Sequence, residues 1–95
     1  MSALIASFKI DPANCEKFEA EFAKITEAVR ANEPGVVYYQ LFREREPGAY
    51  KVMEVYKDAD AIKAHVKSEH FTKMWPQLRT LLVGEPVVDR LEKVG

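Results

Sequence analysis

His65 and His70, in the stretch AHVKSEHF at residues 64–71, are the two histidines of this chain and stand five positions apart. Imidazole is the side chain whose ordinary titration range lies nearest neutrality, so proton transfer is sought first where two of them occur together. On one continuous helix, a separation of five puts two side chains about 140° apart around the axis. Ser68 lies between them and is a good helix cap. A break at Lys67–Ser68 would let His65 and His70 line one pocket. In YKVMEVY, Glu54 shares a strand face with Tyr50 and Tyr56, near the end from which the chain leads to His65. Tyr39, Tyr56, Phe71 and Trp75 would then form aromatic walls, with Glu54, His65 and His70 as the polar groups. Such a lining suits a planar organic substrate.

Each of these residues also has a plain structural use. A histidine on a short helix is commonly a hydrogen-bonded structural residue, Glu54 can be a salt-bridge partner, and Phe71 and Trp75 can be core. Two histidines with no carboxylate at a fixed spacing do not make a metal-ligand set, so no metal is expected. Glycine-rich phosphate loops, HExxH, CxxC and Ser-His-Asp signatures are absent.

The elements that must position these residues are legible from periodicity. ALIASFKI alternates as a strand, with Leu4, Ala6, Phe8 and Ile10 on one face. Asp11 and Pro12 open a helix whose stripe is Phe18, Phe22, Ile25 and Val29, and the Pro34-Gly35 pair ends it. VVYYQLFRE and AYKVMEVYK read as a hairpin of strands. A helix from about Ala59 to Val66 begins at Asp58. A further helix follows Ser68, carrying Phe71, Trp75, Leu78 and Leu82, with Pro76 inside it and a bend expected near Thr72. VVDRLE forms the last strand. The order β-α-β-β-α-α-β predicts one α+β domain over residues 1–95, a ferredoxin-like antiparallel sheet with its helices on one face. In the second strand Val37, Tyr39 and Leu41 are apolar on one face, and Val36, Tyr38 and Phe42 on the other. Helices can cover only one of these faces, which predicts a second subunit on the other.

Composition narrows the function classes. The chain has 95 residues, 47% hydrophobic and 31% charged, with 14 Lys and Arg against 15 Asp and Glu. That is an ordinary globular balance, and without clustered basic residues no nucleic-acid partner is expected. Cys15 is the single cysteine, the N-terminal stretch meets Lys9 early for a signal peptide, and no run approaches the roughly 20 apolar residues of a membrane span. A cytoplasmic protein without membrane association is expected.

EPGVVYYQLFRE, followed by the pattern E-x-Y-x-D-x-x-A-x-x-x-H-x-x-S-x-H-F from Glu54 to Phe71, resembles the antibiotic biosynthesis monooxygenase (ABM) domain family. The resemblance runs from the first strand to the last. It implies a dimeric α+β barrel in which two ferredoxin-like sheets pack face to face, with a pocket in each subunit. It also implies cofactor-independent oxidation of a quinol-like or polyphenolic aromatic by O2. His65 or His70 would be the base, Glu54 would orient an imidazole, and Tyr56 and Trp75 would hold the ring. Haem-degrading relatives carry their iron ligand where this chain has Trp75, so haem, like flavin, is not expected. The same pattern occurs in isomerases of a phosphorylated hydroxyketone, where Lys57 and Lys63 would hold phosphate. A non-catalytic dimeric ligand-binding or stress-response module is the third reading.

Overall fold

The computed structural model describes residues 1–95, built from β1 (Ser2–Lys9), α1 (Cys15–Asn32), β2 (Val36–Arg43), β3 (Ala49–Tyr56), α2 (Ala59–Lys67), α3 (Glu69–Arg79) and β4 (Val87–Glu92). The strands form one sheet in the order β2-β3-β1-β4, each neighbouring pair antiparallel. This is the ferredoxin-like α+β arrangement read from the sequence. No helix is long and apolar enough to cross a membrane.

Local chemistry accounts for the element boundaries. The Asp11 carboxylate accepts from the Ala13 amide at 2.9 Å and opens a short 3-10 turn over Pro12–Asn14, after which α1 begins. Asp58 does the same for α2, accepting from Ala61 N at 2.9 Å. α3 continues through Pro76 to Arg79, so the Thr72 carbonyl loses the helical bond that an N–H at position 76 would give. Leu82, expected on the α3 stripe, lies beyond the helix and bridges to Ile10 beside the end of β1. The β2–β3 hairpin turns at Gly48, whose φ of +84° is open to glycine at little cost.

The inward side chains of the sheet meet the α1 stripe in a core of Phe8, Phe18, Phe22, Ile25, Val29, Tyr50, Val52 and Leu78. Each large apolar side chain so buried is worth about 1.5–3 kcal/mol. The expected alternation of β2 is shifted by a bulge. The register slips between Val36 and Tyr38, so Val36 packs inward against the Tyr56, Ala61 and Ile62 cluster while Val37 is exposed. The inward set is therefore Val36, Tyr39 and Leu41, not Val37, Tyr39 and Leu41. A bulge absorbs one extra residue and reverses the alternation on one side of it. Beyond it the outer face carries Tyr38, Phe42, Met53 and Leu91, all exposed.

Candidate functional site

Three helix ends converge at one corner of the helical layer. Glu33 is the C-cap of α1, His65 lies in the last turn of α2, and His70 lies in the first turn of α3. Gly35 permits the approach, since a Cβ there would stand 2.7 Å from the Ala61 Cβ of α2. Ser68 makes the joint between α2 and α3. Its amide and hydroxyl both donate to the His65 carbonyl, at 3.1 and 2.7 Å, and its oxygen accepts from the Phe71 amide at 3.3 Å. The helix break expected at Lys67–Ser68 is present, and it turns both imidazoles toward Glu33.

His65 Nδ1 lies 3.0 Å from each Glu33 oxygen, and His70 Nε2 hydrogen-bonds Glu33 Oε2. A carboxylate offers only lone pairs, so both nitrogens carry hydrogen and donate. The Ser68 hydroxyl hydrogen is already given to the His65 carbonyl, so its 3.1 Å contact with His70 Nε2 assigns the same tautomer to His70. His65 Nε2 has no hydrogen-bond partner, and the ring is nearly fully buried against Tyr39, Tyr56 and Phe71, with centroids 4.7–5.7 Å away.

That ring lines a cavity of about 160 Å³ between the sheet and α2–α3. Its walls include Tyr39, Phe71 and Trp75, the last two stacked at 5.7 Å, and Glu54 enters from β3. Burial pushes the Glu54 carboxyl above its ordinary range, against the opposing pull of the Tyr56 hydroxyl and the His65 ring. Tyr56 donates to Glu54 Oε1 at 2.5 Å. Burial, reinforced by the Glu54 charge, also raises the Tyr39 and Tyr56 phenols, which remain hydrogen donors through the neutral range. The Tyr39 hydroxyl has no partner within the chain.

The candidates read from the sequence therefore separate. His65, Glu54, Tyr39, Phe71 and Trp75 line the cavity. Tyr56 does not: it is fully buried behind Glu54 and positions that carboxyl, so its expected role as a wall is corrected. His70 does not line the cavity either. It faces a separate groove of about 470 Å³ with Glu33, Lys57, Asp58 and Asp60, and the two rings, carried by different helices, meet at the Glu33 carboxylate. Glu54 hydrogen-bonds Tyr56 and neither imidazole, and Glu33 is the residue that orients His65. Glu33 was not singled out in the sequence, yet it carried a signal. A carboxylate at a helix C-terminus opposes the helix dipole, and such a local conflict points to a partner elsewhere. Glu33, His65 and His70 each offer a donor atom within 4.8 Å of the others, the one cluster of metal-ligating type here.

The profile of the family described as antibiotic biosynthesis monooxygenase matches residues 1–76. No curated protein matches the chain. Among solved structures, a Caulobacter crescentus protein named as a candidate antibiotic biosynthesis monooxygenase is 36% identical, with a TM-score of 0.95 over 99% of this chain and 90% of its own. A second structure, named antibiotic biosynthesis monooxygenase, is 26% identical over the full length of both chains, with a TM-score of 0.91. Rv0793 from Mycobacterium tuberculosis shares the fold at 24% identity and a TM-score of 0.90, over 99% of this chain and 95% of its own.

Proposed function

This chain belongs to the antibiotic biosynthesis monooxygenase family, and from that premise we propose that it oxidises a single-ring, quinol-like aromatic with O2 and without a cofactor. The observation that carries the reading is the cavity. It is almost wholly apolar, and it holds one imidazole whose outer nitrogen is fixed by Glu33 and whose inner nitrogen is unpartnered. At about 160 Å³ it matches the roughly 150 Å³ apolar cavity that accommodates benzene.

In this mechanism the substrate ring lies against Phe71 and Trp75, with one oxygen hydrogen-bonded by the Tyr39 hydroxyl. His65 Nε2 removes a phenolic proton, and Glu33 stabilises the imidazolium that results. The electron-rich anion reduces O2, and the two partners join as a carbon–peroxide bond. Cleavage of the O–O bond leaves one oxygen on the ring and releases the other as water, with the Glu54 carboxyl placed to supply a proton. A quinol becomes a hydroxyquinone, and the substrate supplies every electron. The protein contributes deprotonation, orientation and exclusion of water.

A phosphorylated hydroxyketone suits the cavity less well, because no Lys or Arg lines it. Lys57 faces the other groove, and Lys63 lines neither. We assign the exposed outer sheet face to a second copy of the chain, as the two-sided apolar strands suggest. Oxygen uptake with a panel of single-ring dihydroxyaromatics tests the reaction. Uptake lost in His65→Ala supports it. Saturable binding of the same compounds with no oxygen consumed would instead indicate a binding module.

A further inference from the structure

The Glu33–His65–His70 cluster is more than an orienting device for one base. Two ring N–H groups that converge on one carboxylate are, once deprotonated, two lone pairs that converge on the same point. Donor distances of about 2.0–2.2 Å around Zn2+ place neighbouring ligand atoms roughly 3.3 Å apart. The 3.0 Å spacing between His65 Nδ1 and the Glu33 oxygens is close to that value, and all three donors fall within 4.8 Å. Imidazole and carboxylate together suit first-row divalent ions.

The surroundings favour a cation as well. Glu33 and His65 sit at the C-terminal ends of α1 and α2, where carbonyl dipoles add negative potential. The 470 Å³ groove that reaches Glu33 and His70 is lined by three carboxylates, Glu33, Asp58 and Asp60, against the single charged amine of Lys57. This groove gives a cation a path that does not pass through the aromatic cavity.

The geometry points to a site for one divalent transition-metal ion, of the Zn2+ type, held by Glu33, His65 Nδ1 and His70 Nε2 and entered from the groove. Its occupation has a defined effect on the cavity. A metal at Nδ1 takes the nitrogen that now carries hydrogen, so a neutral His65 ring must hold its proton on Nε2. The cavity-facing nitrogen changes from acceptor to donor, and the base proposed above is switched off. Binding stands independently of the monooxygenase reading; only the effect on turnover rests on it.

Co2+ alone, titrated into metal-stripped full-length protein, is the first probe, read by visible absorption. One equivalent per chain is expected, weakened by more than about tenfold in Glu33→Ala and in His70→Ala. Zn2+ should raise the melting temperature of the wild type by on the order of 10 °C at a hundredfold excess over its Kd, and that of Glu33→Ala by no more than about half as much at the same concentration. Long-range 15N–1H spectra should show the His65 proton moving from Nδ1 to Nε2 on Zn2+ addition. Failure of the wild type to bind either ion more tightly than Glu33→Ala overturns the site. A His65 ring that keeps hydrogen on Nδ1 at saturating Zn2+ overturns the switch. If no aromatic is oxidised at all, the monooxygenase reading falls while the titration still decides the metal site.

Discussion

Glu33 and His65 are 32 positions apart in the chain, yet His65 Nδ1 lies 3.0 Å from both Glu33 oxygens in a nearly dry corner. Truncating Glu33 would leave the His65 Nδ1–H without a partner and the His70 Nε2–H with the Ser68 hydroxyl alone. Glu33→Ala should therefore cost about 1–3 kcal/mol in a denaturant titration. Glu33→Gln keeps an acceptor oxygen but adds an amide that can only donate, so it should recover part of that loss.

The two histidines should differ in kinetics. His65 lines the cavity and His70 does not, so His65→Ala should lower turnover by roughly 10²–10⁴. His70→Ala should lower it by far less. Equal and severe losses in two folded variants would show that the proton also travels through His70.

Glu54 should make stability depend on pH. Its folded carboxyl titrates above its ordinary range, chiefly through burial. Between those two values the unfolded chain has released the proton and the folded chain still holds it. Stability therefore falls as pH rises through that window, and the full contribution is present only below it. Glu54→Gln keeps an oxygen for the Tyr56 hydroxyl and carries no charge at any pH. Melting temperatures of variant and wild type should nearly coincide below about pH 4 and separate above it, with the variant the more stable.

The outer sheet face should hold two copies together. Tyr38, Phe42, Met53 and Leu91 are exposed on it, and burying each is worth on the order of 1.5–3 kcal/mol before association costs. Phe42→Glu should give a monomer in light scattering. A wild type that is itself monomeric at micromolar concentration would refute the interface.

Gly48 supplies a control far from the chemistry. A Cβ there would lie 2.3 Å from the Ile10 carbonyl oxygen, at a φ of +84°. Gly48→Ala should lose about 1–3 kcal/mol of stability, while turnover per folded molecule stays unchanged.

The fold was largely legible because its signals are local. The spacing of Phe18, Phe22, Ile25 and Val29, the caps at Asp58 and Ser68, and the alternation of Leu4, Ala6 and Phe8 each act within one element. The Val37 bulge was not legible, since two strand registers fit the same run of apolar residues. The site was half legible. His65, Glu54, Tyr39, Phe71 and Trp75 were named and share a cavity. Glu33 was missed because its partners come from helices more than thirty residues downstream. The separation of His65 into the cavity and His70 into the groove depends on the path of the chain around Ser68, which periodicity does not encode.

β4 has a consequence for how anything enters the cavity. It is one of the two edge strands, exposed along its whole length in the single subunit and joined to the sheet through β1 alone. Val88, from β4, and Val66, from α2, are both part of the cavity wall and both exposed. An element with so little burial opens at low free-energy cost, well below that of global unfolding. Amide hydrogen exchange should therefore be fastest at the β4 ladder and slowest between β1 and β3. A crosslink holding β4 to β1 should then slow the binding of an aromatic to the cavity, whereas one between β1 and β3 should not.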